Sequence, residues 1–327
     1  MQLIETTNVN HAIIAGINTL TSQGIRQGSR NGGVIAAPWP VVTVMTNPTD
    51  RVLFNPARDA NPFFHLFESL WMMAGRHDVE FVAQFVPRMR EYSDDGITLD
   101  GAYGYRWRNW WRKDQLFEII EQLVADPDSR RCVLAMWDGD DLYEESLDKP
   151  CNTHIYFRVL NGTLDMTVCN RSNDIIWGLY GANTVHLSIL QEFMAAAIGV
   201  DVGIYRHLSN NFHMYPANVD HRAILADGVH DLYNPNLDDH VRHTPLTTVC
   251  DPMEFLQECR LFCGDPLGYD AIQGGFVNTI AQPMYSAWKN RNPDFIKGNS
   301  DWFTAGRQWL KRRDTNPLNG SRIKDGD

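Results

Sequence analysis

Cys151 sits at the open end of a predicted β-hairpin, with an arginine close to its position on the opposite strand. The runs Ile155, Phe157, Val159 and Leu164, Met166, Val168 each alternate with other residues and flank Asn161-Gly162. That dipeptide suits a two-residue turn with positive φ at both positions. A two-residue loop pairs Leu160 with Thr163 and, carried along the ladder, sets Cys151 opposite Ser172 and beside Arg171. A bulge would shift the pairing by one residue. Positive charge stabilises a thiolate, the form of cysteine that acts as a nucleophile, so a guanidinium neighbour marks Cys151 as a candidate. Pro150 restricts the approach of the chain to it. Cys132 and Cys169 lie inside apolar strand-like runs and read as small core residues. A lone cysteine at the position of Cys151 also has a structural reading.

Two clusters carry the chemistry of anion binding. Arg171-Ser172-Asn173-Asp174 ends a strand and precedes a Gly178-containing loop, and Asp128-Ser129-Arg130-Arg131 supplies a second guanidinium pair. Arginine forks and a hydroxyl suit a phosphate, although either cluster alone also reads as surface salt bridging. The elements that must position these groups are partly visible. Phe63, Leu66, Phe67, Leu70 and Met73 recur at helical spacing between Asn61-Pro62 and Gly75, with Glu68 inside the apolar run. A second helix is predicted from Asn183 to about Ile198 and closed by Gly199. Pro252 to Phe262 and Asp301 to Arg313 also read as helical, and no repeat or low-complexity linker marks a domain boundary.

Composition narrows the class. With 327 residues, 43% hydrophobic and 21% charged, the chain is large enough for a substantial core. A net charge of -11 argues against a general polyanion-binding surface and so against nucleic acid as partner, while a small anionic substrate stays allowed. No apolar run reaches the ~18 residues of a membrane span, and the Met1-Gln2-Leu3-Ile4-Glu5 start lacks a basic and apolar leader, so a cytoplasmic location is expected. Six cysteines at this length read as free thiols.

Several separated motifs agree in order and spacing with one family. They are Arg30-Asn31-Gly32-Gly33, Glu68-Ser69-Leu70-Trp71, Tyr103-Gly104-Tyr105-Arg106-Trp107-Arg108, Asp128-Ser129-Arg130-Arg131, Pro150-Cys151, Arg171-Ser172-Asn173-Asp174, Asn183, and His213-Met214-Tyr215. In these motifs, from about residue 20 to 220, the chain resembles thymidylate synthase and its relatives, the phage deoxynucleotide hydroxymethylases. The resemblance implies an α/β (α+β) fold, a large mixed sheet packed by helices, with a homodimer formed through the sheet. It implies a catalytic domain over 1–220 and a helical extension over 221–327 packed on the same domain. It implies that Arg30, Arg171 and Ser172 bind the phosphate of a pyrimidine nucleoside monophosphate, with Arg130 and Arg131 reaching across the dimer. His213 and Tyr215 would hold the sugar, Asp174 and Trp71 would contact the folate, 5,10-methylenetetrahydrofolate, and Glu68 and Tyr103 would serve proton transfer.

In the implied chemistry, the Cys151 thiolate adds at C6 of the pyrimidine and makes C5 nucleophilic toward the one-carbon donor. Asn183 and a water held by Glu68 would steady the charge developing on the ring carbonyl. Hydride transfer then yields a methyl product, water a hydroxymethyl product. Three departures from thymidylate synthases favour water: Asn152 where a histidine is usual, no tryptophan between Phe85 and Asp100, where only Phe85, Met89 and Tyr92 are bulky, and an ending in Lys324-Asp325-Gly326-Asp327 in place of an apolar tail. Counting from Arg171 without gaps puts Ala182 at the base-reading position, whereas alignment by the following helix puts Asn183 there. With Asn183, dUMP is expected as substrate, followed by dCMP or CMP. The alternatives are a methylating synthase, a binding-only relative and, from Cys259, Cys263, His240 and His243, a metal hydrolase, although these four residues lack the spacing of a ligand set, so no metal is expected.

Overall fold

A computed structural model describes residues 1–247 and 251–314 of the chain. It divides into two compact units, each assembled from three stretches: residues 1–60, 116–137 and 151–232 in the first, 61–115, 138–150 and 233 onward in the second.

Among the described residues ten strands form, all in the first unit: β1 (Gln2–Thr6), β2 (Ile25–Ser29), β3 (Gly32–Ala36), β4 (Val41–Met45), β5 (Val133–Ala135), β6 (Asn152–Leu160), β7 (Thr163–Asn170), β8 (Asn173–Asp174), β9 (Asp201–Ser209) and β10 (Phe212–Met214). Six of them form a mixed sheet in the order β1-β4-β9-β7-β6-β5, in which β1–β4 and β9–β7 run parallel. One face is closed by the helices Val9–Gln23 and Thr184–Ile198, and it buries Ile155, Phe157, Met166, Val168 and Tyr205. The large mixed sheet packed by helices agrees with the expectation from the sequence.

The β6–β7 hairpin turns on Asn161 (φ 52°) and Gly162 (φ 79°) and pairs Leu160 with Thr163, as its dipeptide requires. The register holds to His154 opposite Cys169 and then slips, so that Asn152 faces Asn170. Thr153 is the extra residue of this bulge. Cys169 is half-buried, on the sheet face opposite Val168, and so is not the core residue expected; Cys132 is fully buried.

The predicted Gly178 loop is a helix. Residues Ile175–Asn183 coil with the wide π spacing and run directly into Thr184–Ile198, which ends at Gly199 in the left-handed region (φ 84°). Asp174 caps the start, its side chain accepting from the Ile176 amide at 3.0 Å.

The second unit is helical. Its centre is the helix Pro62–Met73, capped by Asn61, whose side chain accepts from the amides of Phe63 and Phe64. Every residue of that helix is buried, Glu68 included. Large apolar side chains gain about 1.5–3 kcal/mol each from full burial, which offsets the cost of placing one carboxyl among them. The helices Pro252–Gly264, Gln282–Asn290 and Asp301–Asp314 surround it: Phe67 stacks on Phe262 at 5.5 Å, and Phe63 meets Trp309 edge-on at 5.4 Å. The five described cysteines are free, and Cys250 and the Lys324–Asp327 ending lie outside the described residues. No described helix is long and apolar enough to cross a membrane.

Candidate active site

The bulge at Thr153 decides which residue Cys151 faces. Because two residues of β6 face one of β7, Cys151 comes opposite Arg171, one residue from the bulge-free pairing, and the Arg171 amide donates to the Cys151 carbonyl at 2.9 Å. Cys151 is half-buried, and the Arg171 guanidinium stands 5.5 Å from the centre of the Trp137 ring. Trp137 is held there because its amide and that of Met136 both donate to the Thr153 carbonyl at 3.0 Å. Asn152 is fully buried and donates to Asn170 Oδ1 at 3.0 Å, tying the ends of the hairpin together.

A second, smaller sheet gathers the other groups. Its order is β2-β3-β10-β8, with His213 paired to Ala36 on one side and to Asp174 on the other. Arg30 is exposed in the two-residue turn between β2 and β3, and Ser29 beside it lies 3.4 Å from the Tyr215 hydroxyl. The Tyr215 and His213 rings meet edge-on at 5.3 Å. Ser172 is half-buried just before β8. Burial pushes the Asp174 carboxyl up from its ordinary range, opposed by the Ile176 amide and by the nearby His213 and Arg58. Burial also holds His213 below the usual histidine range, with Asp174 pulling the other way. Arg58 is buried, and its Nε donates to the Ile176 carbonyl at 3.1 Å. Its only sequence signal was a lone arginine ahead of the Asn61 cap, which no motif singled out.

Asn183 is half-buried at the end of the π segment, and its amide nitrogen donates to Asn173 Oδ1 at 3.2 Å. Ala182 is buried and has no polar side-chain atom, whereas the Asn183 amide carries both a donor and an acceptor. Gly178 backs onto this pair: a Cβ there would lie 3.3 Å from Asn173 Oδ1 and 3.4 Å from Asn183 Nδ2. Arg130 and Arg131 are exposed in the stretch before the edge strand β5.

The thymidylate synthase family model matches residues 62–243, more than half of the chain. This chain belongs to the thymidylate synthase family. It is 45% identical to a protein of Pseudomonas phage M6 named deoxyuridylate hydroxymethyltransferase, over 96% of this chain and 95% of that one. Proteins of the same name from Bacillus phage SP01 and Delftia phage PhiW-14 are 37% and 31% identical, over 61% and 67% of this chain and 55% and 63% of theirs.

The remaining thymidylate synthase motifs lie in the helical unit. Tyr103 is half-buried and opens the helix Tyr103–Arg108, which meets the Glu68 helix so closely that a Cβ on Gly104 would fall 1.9 Å from the Met72 carbonyl. The arginines of this motif are structural: Arg106 is buried and forks onto Asp141 at 2.6 and 2.7 Å, while Arg108 donates to the Met73 carbonyl at 2.5 Å. Asp148, three residues before Cys151, accepts from the Gly101 amide at 2.9 Å. Its carboxyl is pushed up to about 6, first by burial and then by the charges of Asp100 and Glu68. Trp71 is 1% exposed and donates its indole N–H to Asp78, so a folate contact does not fit its placement. Phe85 is also core, against Phe67 and Trp288, which leaves Met89 and Tyr92 of the expected bulky set half-exposed.

Proposed function

We propose that this chain is a deoxyuridylate hydroxymethyltransferase that converts dUMP, with a one-carbon unit and water, to the 5-hydroxymethyl nucleotide. The observation that carries this reading is the end-to-end 45% identity to the phage M6 protein of that name. The half-buried Cys151 opposite Arg171 supports a thiolate nucleophile, and the amide of Asn183 supports recognition of a uracil edge.

Arg30, Arg171 and Ser172 bind the phosphate, and His213 and Tyr215 position the sugar. Addition of the Cys151 thiolate at C6 forms a carbon–sulfur bond and raises electron density at C5. Asn183 donates to the O4 oxygen, where charge develops, and accepts from N3–H, so it binds the transition state more tightly than the ground state. Glu68 and Tyr103 manage the protons, including the one that C5 must lose. The residues present fit a folate: the Asp174 carboxyl is an acceptor held by the Ile176 amide, suited to the N–H edge of a pterin. Bound 5,10-methylenetetrahydrofolate would supply the carbon at the oxidation level of formaldehyde. Once C5 carries this carbon as an exocyclic methylene, addition of water and expulsion of Cys151 leave a hydroxymethyl group with no net oxidation of the folate. The half-exposed sheet face bearing Tyr156, Thr167, Cys169 and Arg206 supports a homodimer through the sheet, with Arg130 and Arg131 given to the partner's phosphate. In this reading residues 1–220 hold every site residue, and the described helices after residue 220 supply the extension.

The test is mass spectrometry of the nucleotide after incubation with methylenetetrahydrofolate and dUMP, dCMP or CMP, with dihydrofolate followed by absorbance. A gain of CH2O on dUMP without dihydrofolate is expected. A gain of CH2 with stoichiometric dihydrofolate would overturn the hydroxymethyl assignment.

A further inference from the structure

Behind Asn183 lies a buried hydrogen-bond chain that the reaction itself does not use. Asn173 is 3% exposed, and His207 and Ser209 are 0% exposed. Asn173 Nδ2 lies 3.0 Å from His207 Nε2 and 3.0 Å from Ser209 Oγ, and His207 Nδ1 lies 2.6 Å from the Tyr205 hydroxyl. An amide nitrogen carries two hydrogens, and both are taken by these neighbours. The Asn173 carbonyl oxygen is therefore the atom turned toward Asn183, where it accepts from Nδ2 at 3.2 Å. One N–H of Asn183 is thereby fixed inward, which sets which side of its amide donates and which accepts.

We propose that Asn173, held by His207 and Ser209, is a positioning residue that locks the Asn183 amide in the orientation that reads uracil and rejects cytosine. The proposal rests on the reading of Asn183 as the base-facing residue. Uracil presents an acceptor at O4 and a donor at N3–H, whereas cytosine presents an amino donor and a bare N3. To serve cytosine the Asn183 amide must turn over, which brings its oxygen against the Asn173 oxygen. Asn173 can follow only if His207 moves its hydrogen from Nδ1 to Nε2 and the Ser209 hydroxyl turns to donate. Protonation does not supply that hydrogen near neutral pH, because complete burial holds the His207 ring neutral down to a pKa of about 3. Each alternative arrangement thus requires every member of the chain to change together, which is how a buried network confers specificity.

The experiment compares kcat/KM for dUMP and dCMP in the full-length protein and in Asn173→Ala, Ser209→Ala and Asn183→Ala. With Asn173→Ala the dUMP-to-dCMP ratio is expected to fall by about tenfold or more, the worth of one oriented hydrogen bond, and with Ser209→Ala it should fall less in the same direction. Equal losses on both nucleotides with Asn173→Ala, the mark of a merely structural role, would overturn the proposal while leaving Asn183 in place. An unchanged ratio in Asn183→Ala would remove the base-facing reading and the proposal with it. Should Asn173→Ala not fold, nitrogen-15 spectra of histidine-labelled native protein decide instead, with the His207 ring assigned through its contact with Tyr205. The Nδ1–H tautomer is expected, and the Nε2–H tautomer would overturn the proposal.

Discussion

Replacing Asp148 with asparagine is expected to stabilise the protein, and to do so more at neutral than at acid pH. The carboxyl has a folded-state pKa raised from the ordinary 3.8 to about 6. Well below pH 3.8 it is protonated in both folded and unfolded chains and costs little. Between pH 4 and 6 the unfolded chain gives up the proton more readily, so stability falls as pH rises, and above pH 6 the loss is complete. At about 1.4 kcal/mol per pKa unit, the rise from 3.8 to about 6 amounts to roughly 3 kcal/mol at pH 7.5 and roughly 1 kcal/mol at pH 4.5. Asp148 is half-buried and draws some water, so about half of these figures is expected. Asparagine keeps the oxygen that accepts from the Gly101 amide and removes the charge set against Asp100 and Glu68. Urea unfolding of both proteins at pH 7.5 and 4.5, at one protein concentration, measures the difference. A variant less stable than the parent at pH 7.5 would refute the reasoning, since it would mean that the ionised Asp148 gains more from a cationic partner in the folded protein than it loses to burial and to the neighbouring carboxylates.

Three further outcomes are expected. Cys151→Ser should lower kcat by roughly a thousandfold or more, because a serine hydroxyl is far less ionised than a thiol, and should abolish the covalent nucleotide adduct seen by intact-protein mass spectrometry. Gly104→Ala places a methyl 1.9 Å from the Met72 carbonyl and must push two helices apart, so chemical denaturation should register a loss of about 3 kcal/mol or more. Asn183→Asp should shift the ratio of kcat/KM toward dCMP by about tenfold or more, since a carboxylate accepts from the cytosine amino group and repels O4 of uracil.

What the sequence disclosed follows the range of the interactions involved. The helix over 62–73 was legible because Asn61, Pro62, the apolar spacing and Gly75 all act locally, and the β6–β7 turn was legible because Asn161-Gly162 fixes it. The bulge at Thr153 was not, since nothing in that residue's own chemistry demands an extra position; it arises where β5 and the Trp137 segment converge on the Thr153 carbonyl. The π segment was read as a loop because Gly178 and Gly181 weaken helix propensity, and the packing that stabilises it involves Asn173, Asn183 and buried apolar neighbours. Strands β1 to β4 and β9 went unread, their pairings being set by partners far away in sequence. The cysteine, arginine and histidine motifs supplied the residues proposed for the site. Asn173 and Arg58 were left without a role, because what they do depends on neighbours that only the fold supplies.

The hairpin also implies an order of assembly. Its turn spans two residues, so the strands that carry Cys151 and Arg171 pair on the microsecond scale of β-hairpin formation, with little loop-closure entropy to overcome. The contact between Ser29 and Tyr215 joins residues 186 apart and must wait for the intervening chain to fold. Cys151 and its facing arginine would then belong to an early-closing element and the Arg30 turn with His213 and Tyr215 to a late one, and amides of β6 and β7 should gain protection before those of β2 and β10 in pulse-labelled exchange. A mutation that slowed closure of the small sheet would leave a chain in which Cys151 already faces Arg171 before Tyr215 reaches the Arg30 turn.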